Sequence, residues 1–279
     1  MATPIAACSA TLCRRCSTLW GSSATITHVA GVPDTATVDL TGIPAAAAAA
    51  KAAEIAIVFV GLTPCNGWGK QVCNEGESHD RNEHFDSANK LELPGSQQAL
   101  VEAVAVANPR YVVVFINGGA LGTDWIAEHS PAVVEAFYPG ELGGDAIIDV
   151  LTGAHNPTGT LPVTIYPAAF GSTRPITDMS LRGGQGITHL HYTGTPLWPF
   201  GHSSSYTTFA LSTAAAAAGT AGDTAALAGF GRAAVGRHYS LTLTNTGGLA
   251  GGFTVLGFIT SDDAPGFPLQ VTPTPWRLR

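Results

Sequence analysis

The sequence predicts an α/β protein: a mostly parallel sheet with helices on both faces, followed by part of a β-sandwich. Three observations carry this. Continuous apolar runs at Ile55–Val60 and Tyr111–Ile116 each end in glycine-containing turns, as strands buried on both faces do. Helical segments alternate with these runs, and strand–helix alternation builds sheets covered on both sides. After residue 209 the composition changes, and His238–Asn245 then alternates apolar with polar residues, the period of a half-buried strand.

The elements follow in chain order. Residues 1–44 show no sustained period and are expected to be a poorly defined leader, with a short strand at Thr25–Val29. Pro44, six alanines and Lys51-Ala52-Ala53 read as a helix with proline in its first turn, where its missing N–H costs nothing. The strand Ile55–Val60 ends at Gly61 and gives way to a long polar segment, 62–94, rich in Asn, Gly and acid. A loop of that length inside a domain is usually functional or disordered. Pro94-Gly95 opens a second helix with Leu100, Val104 and Ala107 along one stripe. Tyr111–Ile116 ends in Asn117-Gly118-Gly119. Further strands are expected at Val133–Tyr138, ending in Pro139-Gly140-Glu141, and at Leu161–Ile165, with a helix over Asp145–Leu151. Residues 214–236 are almost wholly Ala, Gly and Thr, so 210–236 is expected to be a linker. In 237–279, Gly247-Gly248 is expected to turn His238–Asn245 into a hairpin with Phe253–Ile259. Those residues are too few for a complete sandwich.

Composition excludes several classes. Charged residues are only 12% and hydrophobic ones 45%, so the whole chain is not intrinsically disordered. Thirteen Lys and Arg against twenty Asp and Glu leave −7, which excludes the basic surface needed for nucleic acid or an anionic membrane. No apolar stretch reads as a transmembrane helix. Arg14 and Arg15 follow rather than precede the small-residue stretch, so no signal peptide is expected. Five cysteines leave at least one unpaired. Cys13 and Cys16 form a CxxC without a second pair at zinc spacing, and no metal is expected. Gly118-Gly119 lacks a GxGxxG context, and no dinucleotide or other cofactor is expected.

The chemistry concentrates in Asn74-Glu75-Gly76-Glu77-Ser78-His79-Asp80-Arg81. Three carboxylates, a histidine and an arginine fall in one short run of a charge-poor protein. Two carboxyls of different pKa are what acid/base work on a glycosidic bond requires, with Arg81 holding Asp80 ionised while a neighbouring Glu keeps its proton. A solvated acidic loop explains the run as simply. Its place beyond a strand's carboxyl end, where α/β sheets bind ligands, favours a site. His189 and His191 would share a face if they lay on a strand, but no third metal ligand is evident.

The chain resembles the C-terminal part of glycoside hydrolase family 3, most closely its β-xylosidase branch. The resemblance rests on Val60-Gly61-Leu62; Glu75 to Arg81; Leu93-Pro94-Gly95-Ser96-Gln97-Gln98; and Tyr138-Pro139-Gly140-Glu141-Leu142-Gly143-Gly144. It continues through Asn156-Pro157-Thr158-Gly159-Thr160-Leu161-Pro162, Tyr192 to Leu197 and Pro199 to Phe209. It implies an (α/β)6-sandwich-type domain over 45–209, lacking its first strand, and a truncated fibronectin type III-like β-sandwich over 237–279. It also implies a (β/α)8 barrel bearing the nucleophilic Asp, which is expected to be missing from this chain. The activity implied is retaining hydrolysis of β-linked oligosaccharides derived from xylan. Glu77, or Glu75 two residues before it, would be the acid/base, with Asp80 and Arg81 contacting substrate; independently of the resemblance, the apolar face of Trp68 in the same segment suits stacking on a sugar ring. Trp125 and Trp198 are expected in the core. An extracellular or cell-wall location and a Cys65–Cys73 pairing follow from the same resemblance. The alternative is a non-catalytic sugar-binding or assembly module derived from such an enzyme.

Overall fold

A computed structural model of the chain describes residues 3–7, 24–35, 37–62, 91–175, 177–215, 239–259 and 270–271. Five strands form one sheet: β1 (Thr3–Ala7), β2 (Ala24–His28), β3 (Ile55–Gly61), β4 (Tyr111–Ile116) and β5 (Val133–Glu135). Their spatial order is β2-β1-β3-β4-β5, and every pairing is parallel. This is the doubly wound order that reverses between β1 and β3. β1 corrects the sequence reading of 1–44 as a leader and of a missing first strand, while β2 falls at the short strand expected at Thr25–Val29. Short segments such as TPIAA and ATITH carry little periodicity of their own. β1 becomes a strand by pairing with the apolar β3, and β2 by pairing with β1.

Helices cover both faces because β3 and β4 are apolar on both. Ala56, Val58 and Val60 of β3, with Tyr111, Val113 and Phe115 of β4, face α1 (Ile43–Ala52), α2 (Gln97–Ala107) and α3 (Asp124–His129). The alternate residues Ile57 and Val114 pack with Ile147 and Leu151 of α4 (Gly143–Thr152). The alanines of α1 allow a close approach: Ala46 and Ala50 are buried, and a Cβ on Gly31 would lie 2.3 Å from the Leu100 side chain of α2. Trp125 and Trp198 pack against this larger core. The buried Asn108 caps α2 and donates to the carbonyls of Ala50 (2.9 Å) and Ala53 (3.0 Å) at the end of α1.

Three elements differ from expectation. Residues 161–165 run beside 197–202 through Leu161 N–H to His202 C=O and Ile165 N–H to Trp198 C=O, yet form only an isolated bridge at Ile165. Pro162 and Pro199 have no N–H with which to extend a ladder. β5 stops at Glu135 instead of Tyr138, because Phe137 takes a positive φ of 50°. His189 and His191 lie on the one-turn helix α5 (Thr188–His191) rather than on a strand, so they do not share a face; His189 stacks on Phe200.

Among the described residues, a second unit comprises 156–159, 204–215 and 239–255. In it β6 (Phe209–Ala215) pairs antiparallel with β7 (Tyr239–Asn245). This corrects the expected hairpin, and β6 takes the first six residues of the expected linker. The Gly247-Gly248 turn does not lead into a paired Phe253. It folds back on Thr208, whose carbonyl accepts from the N–H groups of Thr246 and Gly247. Phe258–Ile259 (β8), which falls in the first unit, pairs instead with Gln270–Val271 (β9). Asn156 accepts from Ser205 Oγ and the Tyr206 N–H, and donates to the Ala250 carbonyl.

Gly61 gives a test of this packing. Its φ is 154°, and a Cβ there would lie 1.9 Å from the Ile116 carbonyl oxygen. Gly153 also has positive φ, 76°, but a Cβ there meets nothing within 4 Å. In urea titrations Gly61→Ala should cost about 3 kcal/mol or more, and Gly153→Ala about 1 kcal/mol. Equal costs would show that the β3–β4 contact does not constrain residue 61.

Candidate functional site at the carboxyl edge of the sheet

All five strands point the same way, so their carboxyl ends lie along one edge. The backbone there has run out of ladder partners, and side chains replace them. Gln97, the first residue of α2 and almost wholly buried, is the main substitute. Its Oε1 accepts from the Gly61 N–H at 2.7 Å, and its Nε2 donates to the Gly61 carbonyl at 2.9 Å. The same Nε2 also reaches the carbonyls of Thr35 (3.0 Å) and Pro94 (3.2 Å). One side-chain amide therefore pairs with the end of β3 as a neighbouring strand would.

The residues just outside 63–90 are held at this edge. On one side, Leu62 donates its N–H to the Ile116 carbonyl and accepts from the Tyr138 hydroxyl at 3.2 Å. On the other, the Leu91 carbonyl accepts from the Gly122 N–H at 2.7 Å, Leu93 is buried, and Pro94 is bound by Gln97. Glu75, Glu77, Trp68, Asp80 and Arg81 lie outside the described residues, as do Cys65 and Cys73.

Between the ends of β4 and β5 lies a carboxyl group for which the sequence suggests no role. Glu135 pairs in register with Phe115 and is partly buried. Its Oε1 accepts from the Phe137 N–H at 3.1 Å, and its Oε2 lies 3.5 Å from Asn117 Nδ2. Burial, the largest influence, pushes its pKa up to about 7, against the smaller lowering effect of those two donors. Asn117 is fully buried; its Nδ2 donates to the Gly119 carbonyl at 2.6 Å, while its Oδ1 has no hydrogen-bond partner. Gln97 and Tyr138 belong to motifs visible in the sequence, whereas the signal for Glu135 was an acid inside the otherwise apolar Val133-Val134-Glu135-Ala136-Phe137. Glu141 is exposed in the turn that opens α4. Among the described residues, no three His, Cys, Asp or Glu side chains gather in metal-ligating range. No described helix is long and apolar enough to cross a membrane.

A parallel α/β sheet whose carboxyl edge gathers polar groups is the frame of a ligand-binding or catalytic domain. Residues 5–206 match the glycosyl hydrolase family 3 C-terminal domain, and the chain belongs to that family. A probable exo-1,4-β-xylosidase of Aspergillus fumigatus is 30% identical over 241 residues, covering 80% of this chain and 28% of that protein. Beta-D-xylosidase 1 of Arabidopsis thaliana is 37% identical over 194 residues, covering 67% and 23%. A solved family 3 exo-β-xylosidase, in complex with a xylobiose aziridine probe, shares the fold. Its TM-score is 0.72 at 23% identity, over 97% of this chain and 37% of that one. The chain thus spans about a quarter of the length of these curated relatives.

Two measurements test the edge. Gln97→Ala strands the Gly61 N–H and removes the donor from the Gly61 and Pro94 carbonyls, and should cost about 2–4 kcal/mol in chemical denaturation. Glu135 should make stability fall with pH. Its pKa is raised from 4.5 to about 7, so the folded state holds the proton more tightly than the unfolded chain. The contribution is complete below about 4.5 and is lost as pH rises through about 7, amounting to about 3 kcal/mol at most. Glu135→Gln should therefore match the wild type near pH 4.5 and exceed it in melting temperature at pH 8. A variant that tracks the wild type across that range would refute the raised pKa.

Proposed function

We propose that this chain is the acid/base-bearing part of a retaining β-glycosidase acting on β-linked oligosaccharides, with xylan-derived xylosides as the favoured substrates. Glu77 is the proposed acid/base and Glu75 the alternative two residues away; Asp80, Arg81 and Trp68 are proposed substrate contacts. The nucleophilic Asp would come from a (β/α)8 barrel, the proposed partner domain. The observation that carries this reading is the anchoring of Leu62 and Leu91–Pro94, which bracket the acidic segment, at the carboxyl edge of a parallel sheet. Family membership and the xylosidase names of the relatives support it. By the same reasoning, the α/β domain reaches back to β1, residues 237–279 belong to a partial fibronectin type III-like domain, and the enzyme works outside the cell or in its wall.

The mechanism needs two carboxyl groups about 5–5.5 Å apart across the scissile bond. One protonates the leaving oxygen while the other attacks the anomeric carbon; the first then deprotonates the incoming water. Residues 1–279 alone should therefore not turn over an aryl β-xyloside. Joined to the barrel of a family 3 xylosidase, they should. In that hybrid, Glu77→Gln should slow substrates with poor leaving groups by about 10²–10⁴, because only these need protonation to depart. Azide should restore turnover of a good-leaving-group substrate, since it attacks the glycosyl-enzyme without a base. The same pattern in Glu75→Gln, with Glu77→Gln unaffected, would move the role by two residues. Turnover by residues 1–279 alone would refute the division of labour.

A further inference from the structure

We infer that the turn 138–142 is the surface on which the (β/α)8 barrel docks, with the Tyr138 ring and the Leu142 side chain as its apolar anchors. The inference rests on the reading that this chain supplies the acid and the barrel the nucleophile, but the docking itself is measurable without any sugar.

The chemistry says which edge the barrel must cover. Two carboxyl groups on different domains can act on one bond only where the domains meet, since about 5–5.5 Å separates them. The acidic segment leaves the sheet at Leu62 and returns at Leu91, and both residues are held at the carboxyl edge. The 138–142 turn lies on that edge, joining the end of β5 to α4, and Tyr138 bonds Leu62 itself. Here two apolar side chains stand in water: Tyr138 is 44% exposed and Leu142 64%. A Cβ on Gly140, between them, would meet nothing within 4 Å, so the turn faces open space.

The turn is also held in shape before any partner arrives. The Tyr138 hydroxyl donates to the Leu62 carbonyl at 3.2 Å, and the Gly143 N–H closes onto the Gly140 carbonyl at 3.1 Å. Pro139 packs so tightly on Gly143 that a Cβ there would lie 2.3 Å from the proline Cγ. A surface already ordered loses little entropy when it is covered, and an aromatic ring on such a surface is a favoured interface anchor. Glu141 is exposed in the same turn. The barrel surface that fits is therefore apolar with a hydrogen-bond donor facing Glu141, because a carboxylate covered without a partner would oppose docking. Val106, 90% exposed in the last turn of α2, lies at the opposite edge, where β4 begins, and has no such role.

Hydroxyl-radical footprinting, read by mass spectrometry, tests this on residues 1–279 alone and on the same chain joined to the barrel of a family 3 xylosidase. Oxidation of Tyr138 and Leu142 should slow about fivefold or more in the joined protein, while Val106 keeps its rate. Leu142→Asp puts a carboxylate into the contact. Leu142 is the N-cap of α4, a position that favours aspartate, so residues 1–279 carrying the change should melt no lower than the wild type. In the joined protein the change should return Tyr138 to its rate in the chain alone. It should also lower kcat/KM about tenfold or more for good and poor leaving groups alike, because both carboxyl groups are then misplaced. Equal oxidation of Tyr138 and Leu142 in the two wild-type proteins would overturn the proposal, as would Tyr138 staying protected in the joined Leu142→Asp protein. The footprint reads no turnover, so a Glu77→Gln variant without effect refutes the acid assignment and leaves the docking surface standing. An absent footprint beside an intact leaving-group pattern refutes the docking surface alone.

Discussion

A parallel sheet directs every strand's carboxyl end to one edge, and the last peptide groups of each strand arrive there without a ladder to join. Unpaired backbone groups in a dry setting are costly, so the edge is stable only if side chains supply the missing bonds. Gln97 does this for β3: its amide offers one acceptor and one donor to the two polar groups of Gly61. The remaining capacity of its Nε2 is directed to Thr35 and Pro94. The end of the central strand, the start of α2 and the chain returning from the acidic segment thus share one buried side chain.

The same device recurs at the other end of α2, where Asn108 bonds the last carbonyls of α1. α2 is therefore fastened by a side-chain amide at each terminus, to β3 at one and to α1 at the other. Neither contact depends on charge, which suits a chain with few charged residues and a core built from Val, Ile, Leu and Ala. Gly61 belongs to this arrangement because the strand end passes so close to Ile116 that a methyl group has no room.

On the proposed reading, this rigidity is what catalysis would need. Acid catalysis across a glycosidic bond depends on carboxyl positions held to fractions of an ångström, and a segment as long as 63–90 has many conformations to lose. Fastening the residues on both sides of it to the sheet shortens the reach over which those conformations are free. Gln97 binds β3 and the returning chain, and Tyr138 donates to the Leu62 carbonyl from the turn whose Phe137 N–H is accepted by Glu135.

The helices α1, α2 and α4 and the strands β3 and β4 were legible in the sequence because each carries its own evidence. Apolar residues at strand or helix period identify a buried face before any partner is known, and proline and glycine mark where the faces stop. The acidic run and the family motifs were legible for the same reason, being contiguous. β1 and β6 were not, since a short segment of mostly small and polar residues becomes a strand only when a neighbour offers its edge. The pairing of β7 with β6 instead of 253–259 depended on where the Gly247 turn packs, against Thr208, which no local pattern specifies. Glu135 and the dual role of Gln97 were hidden too. A carboxyl group's burial and an amide's partners are set by residues tens of positions away, and only the assembled sheet brings Gly61, Pro94, Asn117 and Phe137 within hydrogen-bonding range of them.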